Sequence, residues 1–422
     1  MQRGHRAELV GLSLACPAVG QTRKQFTRGT HRVLAPTQVV DRVRPLLSQA
    51  GVTRMANITG LDCIGIHTVA AMRPDATTLS VSAGKGLTLE AAMASAAMEA
   101  IELFSAETAE IPRVVCPPRD LPQSQPAVDL DQLPLRPHAL VMTHLPMAWT
   151  FGLDLVRESS VALPMALVTL RDAFDLTNPF QTTSNGLGAG TALAEAVLVG
   201  LLEVVERDAV ACHRITARNR NTGLPRVDTE SLRAMPLVDE LRRQIAHAGG
   251  EVVVYDCTSD VGIPVYLARL FDARHRYTGV YSGSGAHLDP EIAIVRAITE
   301  AAQSRVVYLA GARDDVSGRA FAQHRAHDSP SIVSALREQP ATVDVSNVRS
   351  HASATFEADI SYVLHGLEGI GIGTCVVVDL TPTVFRSSLS VVRVVVPGLF
   401  GLDEQVGVRS HRVERFVRQL AA

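Results

Sequence analysis

The sequence predicts an α/β or α+β fold with mixed sheets, because strand-like segments alternate with helical segments through much of the chain. The alternation of residues 78–82 is typical of a half-buried strand, and residues 88–107 have high helix propensity. β-branched runs at 376–380 and 390–396 indicate further strands. A chain of 422 residues can bury a large core, either as one large domain or as two fused lobes.

The N-terminal elements occupy residues 23–75, ahead of a core that we place at about residues 76–400. Residues 1–22 have no regular pattern and are expected to form a loose tail. An amphipathic helix is predicted from Pro36 to Leu47. A strand-like run follows at 53–72, with turns at Gly60 and Gly65.

The remaining elements alternate between the two types. Residues 111–147 lack periodicity and are expected to form a long connection. Strands are predicted at 148–156, 161–170, 251–256 and 264–271. Helices are predicted at 88–107 with Thr88 as N-cap, at 193–214 with Thr191 as a candidate N-cap, at 237–248, and after Asp289-Pro290. Residues 312–350 are polar and are expected to be partly helical.

Composition excludes several classes of function. The formal net charge is −3 and aromatic residues make up 4% of the chain, so neither nucleic acid nor an acidic membrane is an expected partner. Six scattered cysteines without a CxxC pair argue against a zinc ribbon and a disulfide-rich secreted domain. No run of 18 apolar residues occurs, which predicts a cytoplasmic protein without a membrane span.

Three predicted helices carry acidic or polar residues on one side. These are Ser95, Glu99 and Glu102 on the first, Glu195, Glu203 and Glu206 on the second, and Arg296, Glu300 and Gln303 on the third. At about 100° per residue, each set falls within about 80° of azimuth. Burying a carboxylate without a partner costs several kcal/mol, so acids on otherwise apolar helices predict a site that gathers cations. A divalent metal with nucleotide phosphate is the leading candidate.

The alternative for each set is a solvated face with i,i+3 and i,i+4 pairs. The second helix fits this alternative least, because no other charge lies between Glu195 and Glu203. Two acids one turn apart in such surroundings suit Mg²⁺, which prefers oxygen ligands. The second helix is therefore the strongest candidate for a metal site.

Two glycine-rich segments precede these helices. Gly84-Lys85-Gly86 is predicted as a loop before a helix N-terminus, where backbone amides and the helix dipole favour phosphate. It does not match the GxxxxGK[ST] pattern of a P-loop, and an ordinary turn is the alternative. Asn185-Gly186 opens a second turn-rich loop, for which an ordinary strand–helix connection is the alternative. HExxH, GxSxG and GxGxxG patterns are absent from the sequence.

Four motifs in this order resemble the YcaO family. They are Gly84-Lys85-Gly86, then Ser95-Ala-Ala-Met-Glu99-Ala-Ile-Glu102, then Ser184-Asn-Gly with Glu195 and Glu203-Val-Val-Glu206-Arg207, then Arg296-Ala-Ile-Thr-Glu300-Ala-Ala-Gln303. The likeness covers roughly residues 24–400. It implies a YcaO-like domain over 23–422, with mixed sheets and ATP bound between helices beside Mg²⁺.

The resemblance also implies roles for individual residues. Metal ligands would be Glu99, Glu102, Glu195, Glu203 and Glu206. Nucleotide contacts would be Lys85, Ser95, Glu99, Asn185, Thr191, Arg207, Arg296 and Gln303. Glu206, Arg207 and Arg296 would act in catalysis. Thr191 departs from the asparagine that relatives often carry after the last glycine of the second motif, although its hydroxyl can still cap the helix or contact phosphate.

The implied reaction is ATP-dependent activation of a peptide backbone amide. The segment Arg28-Gly-Thr-His-Arg32, the element Val394-Val-Val-Pro-Gly398 and the lack of a proline-rich end resemble the branch that works beside a TfuA partner. That branch forms thioamides with an external sulfur donor. Azoline formation on Cys, Ser or Thr is one alternative, and a non-catalytic nucleotide- or peptide-binding scaffold is another. A homodimer is expected from the resemblance.

Overall fold

Three antiparallel sheets and three long helices form the framework of the described chain in this computed structural model. The structure describes residues 21–122, 125–171, 173–175, 177–273, 279–311, 330–399 and 411–419. The strands are β1 (Arg54–Asn57), β2 (His67–Met72), β3 (Val81–Gly86), β4 (Val114–Cys116), β5 (Met147–Asp154), β6 (Ser159–Pro164), β7 (Leu187–Gly190), β8 (Gly250–Asp256), β9 (Val265–Asp272), β10 (Tyr281–Ala286), β11 (Val376–Asp379) and β12 (Ser390–Val395). The helices are α1 (Pro36–Val43), α2 (Leu89–Thr108), α3 (Leu193–Arg220), α4 (Pro236–His247), α5 (Pro290–Ala310), α6 (Pro330–Glu338), α7 (Phe356–Gly369) and α8 (His411–Gln419).

The strands form one six-stranded sheet and two three-stranded sheets. The central sheet has the order β4-β5-β11-β12-β7, and β6 also pairs with β5. The flanking sheets have the orders β1-β2-β3 and β10-β9-β8. Each sheet contributes one strand that leads directly into a long helix: β3 into α2, β7 into α3, and β10 into α5.

Each of these three strands carries a glycine-x-glycine sequence that packs against its own helix. A Cβ placed on Gly86 would lie 2.7 Å from the backbone nitrogen of Ala92 in α2. A Cβ on Gly190 would lie 2.7 Å from the nitrogen of Ala196 in α3, and one on Gly285 would lie 2.9 Å from the nitrogen of Ala297 in α5. Glycine is required because the two backbones approach too closely for a side chain. The three helices are thereby held against three sheets around a common space.

Helix α3 is largely buried within the hydrophobic core. Leu201 and Val205 on this helix are fully buried in a cluster that also includes residues of β9, α7 and β12. A second cluster joins α1 and α2 to the central sheet, and a third joins α4 and α5 to the β10-β9-β8 sheet. A helix buried on most sides needs apolar residues all round, which agrees with the low charge content of its first half. Within the described ranges, no helix is both long and apolar enough to cross a bilayer.

Most predicted elements are confirmed, including the caps of two site helices. Thr88 accepts a hydrogen bond from the Ala91 amide at 3.2 Å, and Asp289 caps α5 with Pro290 in its first turn. The strands predicted at 251–256, 264–271, 376–380 and 390–396 agree with β8, β9, β11 and β12 to within one residue at each end. The predicted tail 1–22 and the region 312–329 fall mainly outside the described residues. Thr22 is described, and its amide donates to the Glu357 carboxylate at 2.9 Å.

Several local predictions were wrong. Gly84-Lys85-Gly86 is part of strand β3 rather than a loop, because its glycines pack against α2. The turn-rich loop predicted to begin at Asn185-Gly186 ends early, because Gly188 and Gly190 belong to strand β7, which pairs with β12. The N-cap of α3 is Ala192, not Thr191, and α3 continues to Arg220. The strand predicted at 161–170 ends at Pro164, where a short 3₁₀ turn begins. Strand β10 and helix α7 were not predicted.

Candidate nucleotide and metal site

A cavity of about 830 Å³ lies between α2, α3 and α5, with the N-terminal segment 26–32 forming part of its wall. The lining includes the predicted residues Lys85, Ser95, Glu99, Glu102, Thr191, Glu195, Glu203, Glu206, Arg207, Arg296 and Gln303. Asn185 does not line the cavity, although its neighbour Ser184 does. The three helices therefore bring together residues that are up to about two hundred positions apart in the chain.

On α2, Glu102 lies where the helix meets strand β7. The Ala189 amide donates to Glu102 Oε1 at 2.7 Å. Burial raises the pKa of Glu102 to about 8, and the neighbouring carboxylates of Glu203 and Glu99 contribute to that rise. The carboxylates of Glu203 and Glu99 therefore disfavour ionisation of Glu102, which a bound cation would relieve.

The start of α3 holds Glu195 through the residue that precedes the helix N-cap. The Thr191 amide and hydroxyl both donate to Glu195 Oε2, at 2.7 and 3.0 Å. Arg32 from the N-terminal segment approaches Oε1 of the same carboxylate, with its Nε at 3.9 Å. Thr191 therefore acts on a predicted metal ligand instead of capping the helix.

The middle of α3 presents Glu203 and Arg207 to the cavity. Arg207 Nη2 lies 3.1 Å from Glu203 Oε1, the i,i+4 spacing of neighbours on one helix face. Burial raises the pKa of Glu203, although the Arg207 guanidinium opposes the rise. The carboxylates of Glu203, Glu206 and Glu300 raise the pKa of Arg207 despite its burial. Arg207 therefore stays protonated at the cavity wall.

Glu206 connects α3 to strand β10. The Ser284 hydroxyl donates to Glu206 Oε1 at 2.6 Å, and the Ala286 amide donates to Oε2 at 2.9 Å. Arg296 Nη2 from α5 lies 4.0 Å from Oε2. Arg296 Nε is buried, and no described residue accepts a hydrogen bond from it. An unpartnered guanidinium NH at the cavity wall suits an anionic ligand.

Lys85 and Gln303 connect β3 to α5. Lys85 Nζ lies 2.5 Å from Glu300 Oε2, and Gln303 Nε2 donates to the Ala83 carbonyl. Burial would raise the pKa of Glu300, but the Lys85 ammonium together with the Arg296 and Arg207 guanidinium groups lowers it. Glu300 is therefore an ionised carboxylate paired with the predicted phosphate-binding lysine.

The cavity lining carries both signs of charge in equal number. Its acidic residues are Glu99, Glu102, Glu195, Glu203, Glu206 and Glu300, and its basic residues are Arg28, Arg32, Lys85, Arg207, Arg214 and Arg296. A single-sign ligand would match only half of this lining. A polyanion together with a hard divalent cation matches both halves, so the donor chemistry fits a nucleotide polyphosphate with Mg²⁺.

The metal ligands are not arranged in advance in a coordination shell. Among the described residues, no three His, Cys, Asp or Glu side chains converge as a metal site. Glu102, Glu195 and Glu206 instead accept hydrogen bonds from protein donors. Metal binding by this set would require those carboxylates to exchange or share these partners, so the five metal ligands remain a prediction.

Sequence reasoning missed some of the lining. Glu300 was noted in a motif but given no role, and Arg32 was not assigned to the site. Ser284, which does not itself line the cavity but donates to Glu206, was also not assigned. The basic run at 23–32 was the available signal for Arg32. Ser284 had no signal, because strand β10 was not predicted.

Comparisons with known proteins identify the family of this chain. The family model described as YcaO cyclodehydratase, ATP- and Mg²⁺-binding, matches residues 83–400. A Rhizobium leguminosarum bv. trifolii protein named only as an uncharacterised protein in the tfuA 3′ region is 36% identical over 390 residues, 90% of this chain and 92% of that protein.

Two solved structures share the fold. A heterocyclase in complex with substrate and cofactor has a TM-score of 0.75 and 25% identity, covering 96% of this chain. This chain spans 56% of that heterocyclase chain. YcaO from Methanopyrus kandleri, bound with AMPPCP and Mg²⁺, has a TM-score of 0.70 and 24% identity, covering 92% of this chain and 100% of the other.

The fold and the cavity define an α/β protein with a candidate site for a nucleotide and a divalent cation between helices. The chain belongs to the YcaO family. The predicted fold is confirmed, and the prediction of ATP and Mg²⁺ as cofactors is confirmed by the family match.

Proposed function

We propose that this protein is an ATP- and Mg²⁺-dependent enzyme that activates a backbone amide of a peptide and converts it to a thioamide. The observation that carries the proposal is the cavity itself, where acids from three helices face Lys85, Arg207 and Arg296. The family's description as an ATP- and Mg²⁺-binding cyclodehydratase supports the same class of reaction. The similarity to a protein from a tfuA region supports the thioamide branch and a TfuA-like sulfur-delivery partner.

The acidic and basic residues of the cavity would bind different parts of the ligand. When bound, ATP supplies a phosphoryl group to the amide oxygen and Mg²⁺ neutralises phosphate charge. Glu99, Glu102, Glu195, Glu203 and Glu206 would hold the metal, while Lys85, Arg207 and Arg296 would hold phosphate oxygens. Ser95, Thr191 and Gln303 line the same cavity and would orient the ligand by hydrogen bonds. In the net reaction the amide oxygen leaves within inorganic phosphate, and sulfur takes its place on the carbonyl carbon.

Azoline formation is a second candidate, and the similarity to a heterocyclase favours it. In that reaction a Cys, Ser or Thr side chain of the peptide attacks the amide carbon, and the same amide oxygen leaves. The cavity residues would act identically on phosphate and metal, so the nucleophile alone separates the two reactions. The homodimer also remains a proposal.

The first experiment is calorimetric titration of ATP, with and without Mg²⁺, into the wild type, Glu206→Ala and the control Glu368→Ala. Glu368 is exposed on α7, outside the residues that line the cavity. We expect Mg²⁺-dependent binding in the wild type and the control, and loss of binding in Glu206→Ala. No binding by the wild type, alone or with its partner protein, would contradict the proposal.

The product is then identified by mass spectrometry. The protein, ATP, Mg²⁺ and a sulfide source are incubated with short peptides encoded near its gene. Replacement of one oxygen by sulfur would support thioamide formation, whereas loss of one water would identify an azoline-forming enzyme. ATP consumption without either change in any peptide would favour neither reaction and would count against amide activation.

A further inference from the structure

Arg393 is a buried cation beneath the cavity that the proposed function does not use. It lies on strand β12, is 2% exposed, and pairs in register with Leu187 at the start of β7. In the part of the chain that the structure describes, no carboxylate lies within ion-pairing distance of its guanidinium. Burial lowers the pKa of Arg393 to about 10, although the more distant Glu203 carboxylate opposes this. A buried guanidinium that has only neutral partners needs strong hydrogen bonds to remain charged.

All three nitrogen positions of the Arg393 guanidinium donate to backbone carbonyls. Nε donates to the Leu167 carbonyl at 2.7 Å, and Nη1 donates to the Asn185 carbonyl at 2.8 Å. Nη2 donates to the Thr183 carbonyl. The next residue on β12 continues the pattern, because the Val394 amide donates to the Gly186 carbonyl at 2.8 Å. Two residues of strand β12 therefore donate hydrogen bonds to three of the four backbone carbonyls of the loop 183–186.

The loop 183–186 forms part of the cavity wall through Ser184, which lies between two of the fixed carbonyls. Since a peptide unit is planar and its C=O and N–H point in opposite directions, fixing the Thr183 carbonyl also fixes the direction of the Ser184 amide. Gly186 has a positive φ of 85° and closes the turn. A Cβ there would lie 2.9 Å from Val204 Cγ2 on α3, so the loop has no room to shift toward that helix.

We propose that Arg393 is a positioning residue of the nucleotide site, because its hydrogen bonds to the Thr183 and Asn185 carbonyls hold the Ser184 hydroxyl at the cavity wall for contact with the bound Mg²⁺–nucleotide. This inference rests on the proposed function, since it requires the cavity to bind nucleotide. The Asn185 carbonyl is one of the two loop carbonyls to which Arg393 donates.

The test compares Arg393→Lys with Arg73→Lys. Arg73 is also buried, donates to the Ala50 carbonyl and pairs with Glu107, but it does not line the cavity. Lysine keeps the charge at both positions, but its single ammonium cannot reach the three carbonyls to which Arg393 donates. For each variant, the melting temperature, hydrogen exchange of amides 183–187 and the Kd for Mg²⁺–AMPPCP are measured.

We expect Arg393→Lys to speed exchange in 183–187 and to weaken Mg²⁺–AMPPCP about tenfold, the effect of losing one strong hydrogen bond. Arg73→Lys should lower the melting temperature at least as much and leave Kd within about twofold. Equal Kd in the wild type and Arg393→Lys would overturn the inference, because a merely structural arginine would change stability alone.

Ser184→Ala provides a second, independent variant if Arg393→Lys fails to fold. It removes the hydroxyl from a partly exposed loop residue and leaves Arg393 in place. We expect a several-fold weaker Kd for Mg²⁺–AMPPCP, and an unchanged Kd would overturn the inference. Failure of the wild type to bind Mg²⁺–AMPPCP would instead contradict the proposed function, so the two failures are distinguishable.

Discussion

Lys85 on β3 and Glu300 on α5 form an ion pair across the cavity, with Nζ and Oε2 2.5 Å apart although 215 positions separate them in the chain. Both side chains are partly exposed, at 21% and 32%. The pair joins the β1-β2-β3 sheet to helix α5 at the point where phosphate is expected to bind. Lys85 can therefore pair either with the Glu300 carboxylate or with the phosphate of a bound ligand.

Lys85→Met should weaken Mg²⁺–nucleotide binding about tenfold, because it removes a phosphate-binding cation and leaves Glu300 without its partner. Binding of Mg²⁺ alone should not weaken, since the cavity gains net negative charge. Calorimetry with Mg²⁺ alone and with Mg²⁺–AMPPCP separates the two effects. Lys85→Arg is the control that keeps the charge, and equal nucleotide affinity in Lys85→Met would contradict the assignment of Lys85.

Gly84→Ala should destabilise the protein by about 3 kcal/mol, because overpacking against a helix backbone forces the two elements apart. A Cβ on Gly84 would lie 2.7 Å from Ala96 Cα and still closer to other backbone atoms of α2. Gly60→Ala is the control, because no atom lies within 4 Å of the position its Cβ would take. Urea unfolding should show a large shift in midpoint for the first variant and almost none for the second.

Arg412→Met should destabilise the protein by about 3–5 kcal/mol, the cost of removing the cation from a buried ion pair. Arg412 on α8 is 3% exposed and its Nη2 lies 2.8 Å from Asp208, which is fully buried on α3. Its Nη1 donates to Asp260 at 2.9 Å, and the two aspartates raise the pKa of Arg412 despite burial.

Thermal or urea unfolding of Arg412→Met, Arg412→Met with Asp208→Asn, and Arg418→Met tests this prediction. Neutralising Asp208 should restore part of the lost stability. Arg418 is 80% exposed, so its replacement should change stability by less than about 0.5 kcal/mol. An Arg412→Met variant as stable as the wild type would show that α8 is not held by this ion pair.

The contribution of His287 should destabilise the folded protein as the pH is lowered from about 7 toward 5. Burial lowers the pKa of His287 well below 6.5, and the positive charges of His31, Arg296 and Lys24 lower it further. Its ring lies 4.7 Å from that of His31, whose pKa burial also lowers. Below about pH 6.5 the unfolded chain takes up a proton that the folded chain excludes, so acid favours unfolding.

His287→Asn should reduce the slope of unfolding free energy against pH below about 6.5, by up to about 1.4 kcal/mol per pH unit. The Asp289 amide donates a hydrogen bond to His287 Nδ1 at 2.9 Å, and the side-chain oxygen of asparagine can accept the same bond. His144→Asn, at an exposed position, is the control. An identical slope in wild type and His287→Asn would contradict the prediction.

The sequence predicted the elements with strong local signals. Helix α2 has an alanine-rich pattern with a threonine cap, and α5 begins at Asp289-Pro290, so both were found. Strand β10 was missed because Ser282 to Gly285 are small residues with low strand propensity. Its stability comes from pairing with β9 and packing on α5, contacts that no local pattern records.

The site was predictable to the level of helix faces but not of partners. Spacing placed Glu195, Glu203 and Glu206 on one side of α3, and all three line the cavity. Their hydrogen-bond donors come from distant strands and loops, as Ser284 does for Glu206. Such contacts depend on how three sheets meet, which the spacing within one helix does not contain.

The glycine-x-glycine strands have a consequence for how the protein refolds after denaturation. Each strand and its helix are neighbours in the sequence, so each unit forms through short loop closures, whereas the Lys85–Glu300 contact closes a loop of about two hundred residues. Helical circular dichroism should therefore recover before Mg²⁺–AMPPCP binding in a stopped-flow experiment. Simultaneous recovery of both signals would mean that the three units form as a single cooperative step.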